Sequence, residues 1–418
     1  MNAIGIDYQR TLCVICLREG PCSTAKIRSV GDGLRHLIPT AVLGDTQWGS
    51  GALLASDPNR LWGKDRLADD PWLDEQGAAL FWRGLYRRLY AYLGYMQPTR
   101  LNGYHTVVSL PAANYEIARE QISHFCQVVG LRDTTVIPVT DAILCRWMTE
   151  QKQAESAESV VAVAAIGDTS SSVRAYRIQY RGSRYPRILS ASQIVSLSEM
   201  GQAWWIQKIL TFVKDRTDQP LPPQYELGLR DAAIELGAQL SRVAPTQPIA
   251  WAGPLQKNLF TPLQLTRSQC SAWPEVTRFT RTLPFAIRDT VTPVAGRATP
   301  DMLLIGGVGA VWPFAKDVAM QQLVSEAKIW QSRTPQEDGA WGAACWPEVA
   351  DEYADILQRL TGVAETAKLG HVIIQSPATP ASSSDDYEEI MRIARRYGNK
   401  SQLADNDPQS DVLPSSER

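Results

Sequence analysis

Short apolar runs of strand character recur along the chain at NAIGID, TLCVICL, HTVVSLP, TTVIP, SVVAVAAIG, SSVRAYRI, RILSAS and DMLLIGG. Each has strand length, and polar or glycine-containing segments separate them. Between two of them, NYEIAREQISHFCQVVG sets Ile117, Ile122, Phe125, Val128 and Val129 on a helical period and stops at Gly130. FWRGLYRRLYAYLGY reads as an amphipathic helix whose aromatic face turns inward and whose arginines form a solvated face. Helical patterns in YELGLRDAAIELGAQLSR and PEVTRFTRTLPFAIRDTV predict a smaller lobe inserted before the last strand. Strands alternating with helices in this way predict an α/β fold.

The run AIGIDYQRTLCVIC, residues 3–16, is a pair of strands joined by a tight turn, with Asp7 where the first strand ends. A carboxylate at that place, followed by small polar turn residues, suits a hairpin that holds a metal-bound phosphate. A second hairpin followed by helical stretches starts near residue 159. Two halves that each open with such a hairpin predict an internal duplication and a two-lobed ATPase.

Composition narrows this reading. At 418 residues, with 44% apolar and 21% charged positions, the chain is long enough for two or three packing units. A formal net charge of −2 supplies no basic field, so nucleic acid is not an expected partner. Asp7, Arg10 and Glu19 interrupt the apolar run that a signal peptide needs, and MLLIGGVGAVWPF is too short and glycine-rich to span a bilayer. The expectation is a cytoplasmic protein without a membrane span. Seven scattered cysteines argue for reduced thiols rather than a disulfide framework. Cys13 and Cys16 have C-x-x-C spacing, but on one strand they point to opposite faces and cannot chelate together. GGVGAVW offers Gly307 and Gly309 as G-x-G and lacks the third glycine of a dinucleotide fingerprint.

Six segments, in order, resemble those of the actin/hexokinase ATPase superfamily, and most closely the nucleotide-binding domain of DnaK-type heat-shock chaperones. GIDYQRT resembles the first phosphate hairpin, G-I-D-L-G-T-T, and VVSLPAANYEIAREQISHFCQVVGL the strand and helix that carry T-V-P-A-Y-F-N-D-x-Q-R. VVAVAAIGDTSSSV stands where the second hairpin, D-L-G-G-G-T-F-D-V, is expected, and MLLIGGVGAVWP where L-V-G-G-x-x-R-x-P is expected. PLQLTRSQCSAWPEV and EDGAWGAACW resemble S-I-T-R-x-x-F-E-x-L and D-E-A-V-A-x-G-A-A, so the resemblance runs over residues 3–346. It implies a two-lobed actin-like ATPase fold with a duplicated hairpin-and-helix core. Lobe I is expected over 1–165 with an insertion at about 38–104, and lobe II over 166–363 with an insertion at about 217–290. A polar, acidic tail over 364–418, mostly disordered with a short helix near 386–397, is expected to follow.

The resemblance also implies site residues and their losses. Gly5, Asp7, Gln9, Arg10 and Thr11 of the first hairpin, and Gly167, Asp168, Thr169 and Ser170 of the second, stand at nucleotide-contacting positions, as do Gly201, Gly306 and Gly307. Gln9 replaces the turn glycine, and its Cβ reduces access of the backbone to phosphate. Arg10 offers charge to a phosphate or is an exposed turn residue. Carboxylates on both hairpins hold hydrated magnesium in the family; Asp7 keeps one, as an indirect magnesium ligand through water, and Ala165 replaces the other. The family glutamate falls on Pro138, which cannot accept a proton. Asp141 and Asp168 are the candidate substitutes, Asp141 alternatively being a cap or a solvent-facing residue, and Lys64 is the candidate for the lysine that reaches the transferred phosphate.

The implied function is a DnaK-like protein with a degenerate site that binds ATP or ADP with magnesium. It would serve as a conformational switch or as a scaffold for a partner protein, with weak or absent ATPase activity. No peptide-client domain is visible. An active ATPase or small-molecule kinase, and an actin-like filament or assembly platform, are the alternatives.

Overall fold

The structure is a computed structural model. It describes residues 1–352 apart from 25, 34, 44–46, 55–60, 63–74, 95–102, 113–114, 132, 151–157, 181–183, 216–222, 252–262, 313, 318–328 and 351. Lys64 and the tail with its expected helix lie outside the described residues. Met1–Arg359 forms one compact unit.

In chain order the first part comprises β1 (Asn2–Tyr8), β2 (Leu12–Glu19), β3 (Lys26–Ser29), β4 (Ile38–Pro39), β5 (Ala41–Leu43), β6 (Gln47–Trp48), α1 (Gly49–Leu54), β7 (Leu61–Trp62), α2 (Glu75–Gly94), β8 (Tyr104–Leu110), α3 (Tyr115–Val129), β9 (Thr134–Pro138) and α4 (Val139–Glu150). The second part comprises β10 (Glu158–Ile166), β11 (Ser171–Gln179), β12 (Arg187–Ala191), β13 (Val195–Leu197), α5 (Gln202–Lys214), α6 (Pro223–Arg242), β14 (Ile249–Trp251), β15 (Leu263–Leu265), α7 (Arg267–Ser271), α8 (Pro274–Ala295), β16 (Met302–Gly306) and β17 (Ile329–Trp330). A final helix, α9, covers residues 338–350.

Two mixed sheets carry the same plan. The first runs β3-β2-β1-β8-β9 and the second β12-β11-β10-β16-β17. In each, an antiparallel hairpin is extended by two parallel strands, β8 and β9 beside β1 and β16 and β17 beside β10. The duplication expected from the two hairpins therefore exists at the level of strand order. All eight apolar runs that read as strands are strands. β10 belongs wholly to the second sheet, so that sheet starts at Glu158 rather than after the expected boundary at 165.

The helices fill the faces in layers. Phe81, Trp82, Leu85 and Leu89 of α2 and Ile122 and Phe125 of α3 pack on Ile4, Ile6 and Ile15 on one face of the first sheet. Val128, read as part of that apolar face, is instead 66% exposed, whereas Cys126 takes the buried place beside Phe125. Gly130 closes α3 at φ +92°, as the sequence pattern predicts. On the far face of the second sheet lie α5, α6 and α8, around Trp205, Phe279, Trp312 and Phe314.

α8 corrects one expectation. Val276, Phe279, Leu283, Ile287 and Val291 join Val173 and Ala175 of β11 in one core, so α8 covers the second sheet and is not part of the insertion expected to reach residue 290.

Between the two sheets lie α4 and α9. Ile143, Leu144 and Trp147 of α4 and Ala343, Trp346 and Val349 of α9 share a core with Val107 and Ile137 of the first sheet and Val163, Tyr176 and Leu304 of the second. Small residues make this filling possible. A Cβ on Gly5 of β1 would lie 1.9 Å from the Ala340 carbonyl oxygen, and one on Gly342 would lie 1.7 Å from that of Ala142. Backbone thus meets backbone at both crossings of α9.

Candidate functional site

The two hairpin turns face each other. In the first, Gln9 N–H donates to the Leu12 carbonyl at 2.9 Å; in the second, Gly167 N–H donates to Ser170 at 3.0 Å. Antiparallel pairing right up to Tyr8 and Cys13, and to Ile166 and Ser171, holds both turns tight. The Asp168 carboxylate reaches across from the second turn to the first. Its Oδ2 accepts from the Thr11 backbone N–H and from Thr11 Oγ1 at 2.9 Å, and its Oδ1 accepts from Thr169 N–H at 2.6 Å. The Arg10 backbone N–H also bonds to it. Successive turn N–H groups of this kind form an anion-binding concavity. Here the anion is the protein's own side chain. Asp168 is buried, which pushes its pKa up, and the Thr11, Thr169 and Arg10 donors pull it back down.

Asp7 lies at the end of β1 with no exposed surface. Its Oδ1 accepts from Gln9 Nε2 at 2.7 Å and from Ser109 Oγ at 3.1 Å, the latter from the neighbouring parallel strand β8. Its Oδ2 has no hydrogen-bond partner. A Cβ on Gly339, in the first turn of α9, would lie 2.3 Å from that oxygen, so the helix backbone closes directly over it. Burial raises the Asp7 pKa from 3.8 to about 7, against the lowering effect of Gln9 and Ser109 and with a further push from Asp168. The carboxylate expected to face the hydration shell of a metal faces Gln9, Ser109 and α9 instead.

The space between the turns, bounded by Gln9, Ala165, Gly167, Ser170, Ser172 and Gly307, has no room for a water molecule. Magnesium keeps several waters when it binds phosphates. In this packing, Asp7, closed off under α9, and the space between the turns do not fit a hydrated magnesium ion or a phosphoryl group. Beside the latch, a cleft of about 400 Å³ is lined by Thr11, Asp168, Gln202, Trp204, Gln207 and Arg230.

The remaining expected residues fall into place around this contact. Gly5 admits the backbone of α9 and is not positioned for phosphate. Gln9 is a buried clamp on Asp7, and Arg10 contributes its main chain, the carbonyl accepting from Thr40 Oγ1 at 2.8 Å. Gly201 lets the start of α5 meet the second turn, where a Cβ would lie 2.5 Å from Asp168 backbone; Gln202 N–H then donates to the Gly167 carbonyl at 3.0 Å. Gly306 gives space to the Asp338 side chain, and Gly307, at φ +100°, lets the chain pass against Ile166. Thr169 and Ser170 serve the turn itself. Pro138 ends β9, and Ala165 is buried opposite Ser172.

Asp141 is buried and paired rather than solvent-facing. Arg174 Nη1 donates to both its oxygens, at 2.9 and 3.1 Å, and the Tyr176 hydroxyl also donates to it. This buried group joins α4 to β11.

Sequence reasoning did not single out Ser109, Arg146, Arg174, Tyr176 or Asp338. Asp338 accepts from Arg146 Nη1 and from Ser332 Oγ, both at 2.6 Å, and burial pushes its pKa up while Arg146 pulls it down. The run of small residues in DGAWGAAC was the available signal for close helix packing. Cys13 and Cys16 are buried on opposite faces of β2, as the strand reading requires. Among the described residues no cluster of three or more His, Cys, Asp or Glu could hold a metal, and no helix is long and apolar enough to cross a membrane. Compared with protein-family models and with curated proteins, the sequence matches none.

Proposed function

We propose that the chain is a two-lobed, DnaK-like member of the actin/hexokinase superfamily whose catalytic notch is latched by its own Asp168, and that it works as a scaffold for a partner protein rather than as an ATPase. The observation that carries this reading is the carboxylate of Asp168 on the N–H groups of Arg10 and Thr11. A side chain that takes the donors of a phosphate hairpin competes with phosphate at effectively intramolecular concentration. The loss of an acid at Pro138 and Ala165 agrees with it, since a missing general base alone typically costs about 10²–10⁴ in rate.

A second reading, a switch that answers to ATP or ADP with magnesium, draws on the cleft of about 400 Å³ beside the latch. In that reading nucleotide must first displace Asp168 from Thr11. Titration of the full chain with magnesium-ATP and magnesium-ADP, with phosphate release followed in parallel, separates the two. The scaffold reading expects no saturable binding and no turnover in the parent, and saturable binding in Asp168→Ala. Binding without turnover in the parent supports the switch. Rapid hydrolysis that disappears in Asp168→Ala or Asp141→Ala defeats both and restores the enzyme reading. Concentration-dependent sedimentation tests the filament alternative.

A further inference from the structure

Away from the hairpins, a second constellation joins the turn after β2 to the third turn of α9. The buried Arg18 side chain grips main chain beside two cysteines: its Nη1 donates to the Gly20 carbonyl and its Nε to the Ala344 carbonyl, each at 2.7 Å. Its Nη1 also pairs with Glu348. Glu348 Oε1 accepts from the Cys22 backbone N–H at 2.7 Å, and Oε2 from the Tyr185 hydroxyl at 2.8 Å. These bonds bring Cys22, which is partly exposed, to the turn of α9 that carries the buried Cys345, where each thiol feels the other. Thr149 Oγ1 of α4 donates to Cys345 Sγ at 3.8 Å from the other side. The main chain at Cys22 and the sulfur of Cys345 are therefore held by groups other than the two thiols.

We propose that Cys22 and Cys345 are a redox-modification site, closing to a disulfide that ties α9 to the turn after β2. Neighbouring thiols reach bonding distance by rotation about their side-chain bonds when their main chains are held together, as Arg18 and Glu348 hold Gly20 and Cys22 to α9. The oxidant is a low-molecular-weight disulfide. Cys22, the partly exposed partner, loses its proton and attacks one sulfur of that disulfide, forming a mixed disulfide and releasing one small thiolate. Cys345, deprotonated in turn, attacks the Cys22 sulfur and expels the second small thiolate. The two thiolates take up the two protons, so the protein loses two hydrogens and the small disulfide is reduced to two thiols.

The neighbouring Cys345 thiol, and then burial, push the Cys22 pKa up, so the attacking thiolate is scarce at neutral pH and the reaction quickens as pH rises.

The test uses the full chain, incubated at pH 8 with oxidised glutathione and mapped as peptides without reduction. The expected product is a Cys22–Cys345 peptide pair, two hydrogens lighter than the separate peptides, reversed by dithiothreitol and formed more slowly at pH 6.5. Oxidised chain should also show a higher urea midpoint than reduced chain. Cys22→Ser and Cys345→Ala, each checked for native circular dichroism, should each abolish the linked pair. The exposed-side change in Cys22→Ser carries the test where the buried one perturbs folding. A glutathione adduct that stays on Cys22, a pair formed only after denaturation, or a Cys22→Ser chain that links Cys345 to another cysteine would each overturn the proposal.

Discussion

The carboxyl of Asp7 is the residue whose environment departs furthest from what its place in a hairpin suggests. Its pKa stands at about 7 in the folded chain against an ordinary 3.8, so the folded state holds a proton that the unfolded state has released. Its contribution to stability is fully present below about pH 4 and is lost as pH rises to about 7, above which the dependence on this group is flat. Asp7→Asn should therefore flatten the fall in urea midpoint measured between pH 4 and 7, and should raise the midpoint at pH 8 relative to the parent. A parent whose stability climbs over that range would show that Asp7 is ionised and paired. With Arg174 and Tyr176 bonded to Asp141, Asp141→Ala leaves a buried guanidinium uncompensated and should cost about 3–5 kcal/mol in unfolding free energy. At this scale the sequence was legible where chemistry is local. Asp7 and Thr11 were read as members of a hairpin, and they are. The partners that decide what they do, Gln9 through its own side chain, Ser109 from β8 and Gly339 from α9, come from pairings that no local pattern encodes.

Among the elements, long strands and helices with strong periodicity were legible, and short ones were not. Burial on both faces explains the central strands, as in β10, where Val160 to Ile166 are all buried, whereas β9 and β12 each bury one residue. β4 to β7, β13 and β17 are two or three residues long and carry no period to read. α8 was recognised as a helix but placed in the wrong layer, since an apolar stripe shows that a helix is covered without showing by what. α9 depends on glycine at two crossings. Gly342→Ala would set a Cβ 1.7 Å from the Ala142 carbonyl oxygen, which is backbone and cannot swing aside. The expected loss is about 1–3 kcal/mol or more, read from the shift in thermal or urea midpoint. Gly51→Ala, at a position with nothing within 4 Å, is the matched control and should lie within about 0.5 kcal/mol of the parent.

Over the whole molecule, the two sheets share a strand order while the halves that follow them differ, which is why the duplication could be read from two hairpins and the latch between them could not. Asp168→Ala should release Thr11 and leave its N–H and hydroxyl for water, at a cost of about 1–3 kcal/mol. Hydrogen exchange at the Thr11 amide should speed up in that variant while amides of β8 keep their protection. The position of α9 has a consequence in time. Gly5, near the start of the chain, meets Ala340 and Ala344, near the end of the described residues. Val14 and Cys16 of the first sheet find their cover in Ala340 and Val308. At about 5–20 residues per second, a ribosome needs on the order of tens of seconds to pass from one partner to the other. The inner face of the first sheet is complete in sequence long before its filling exists, so a nascent chain presents that face to whatever binds exposed apolar surface.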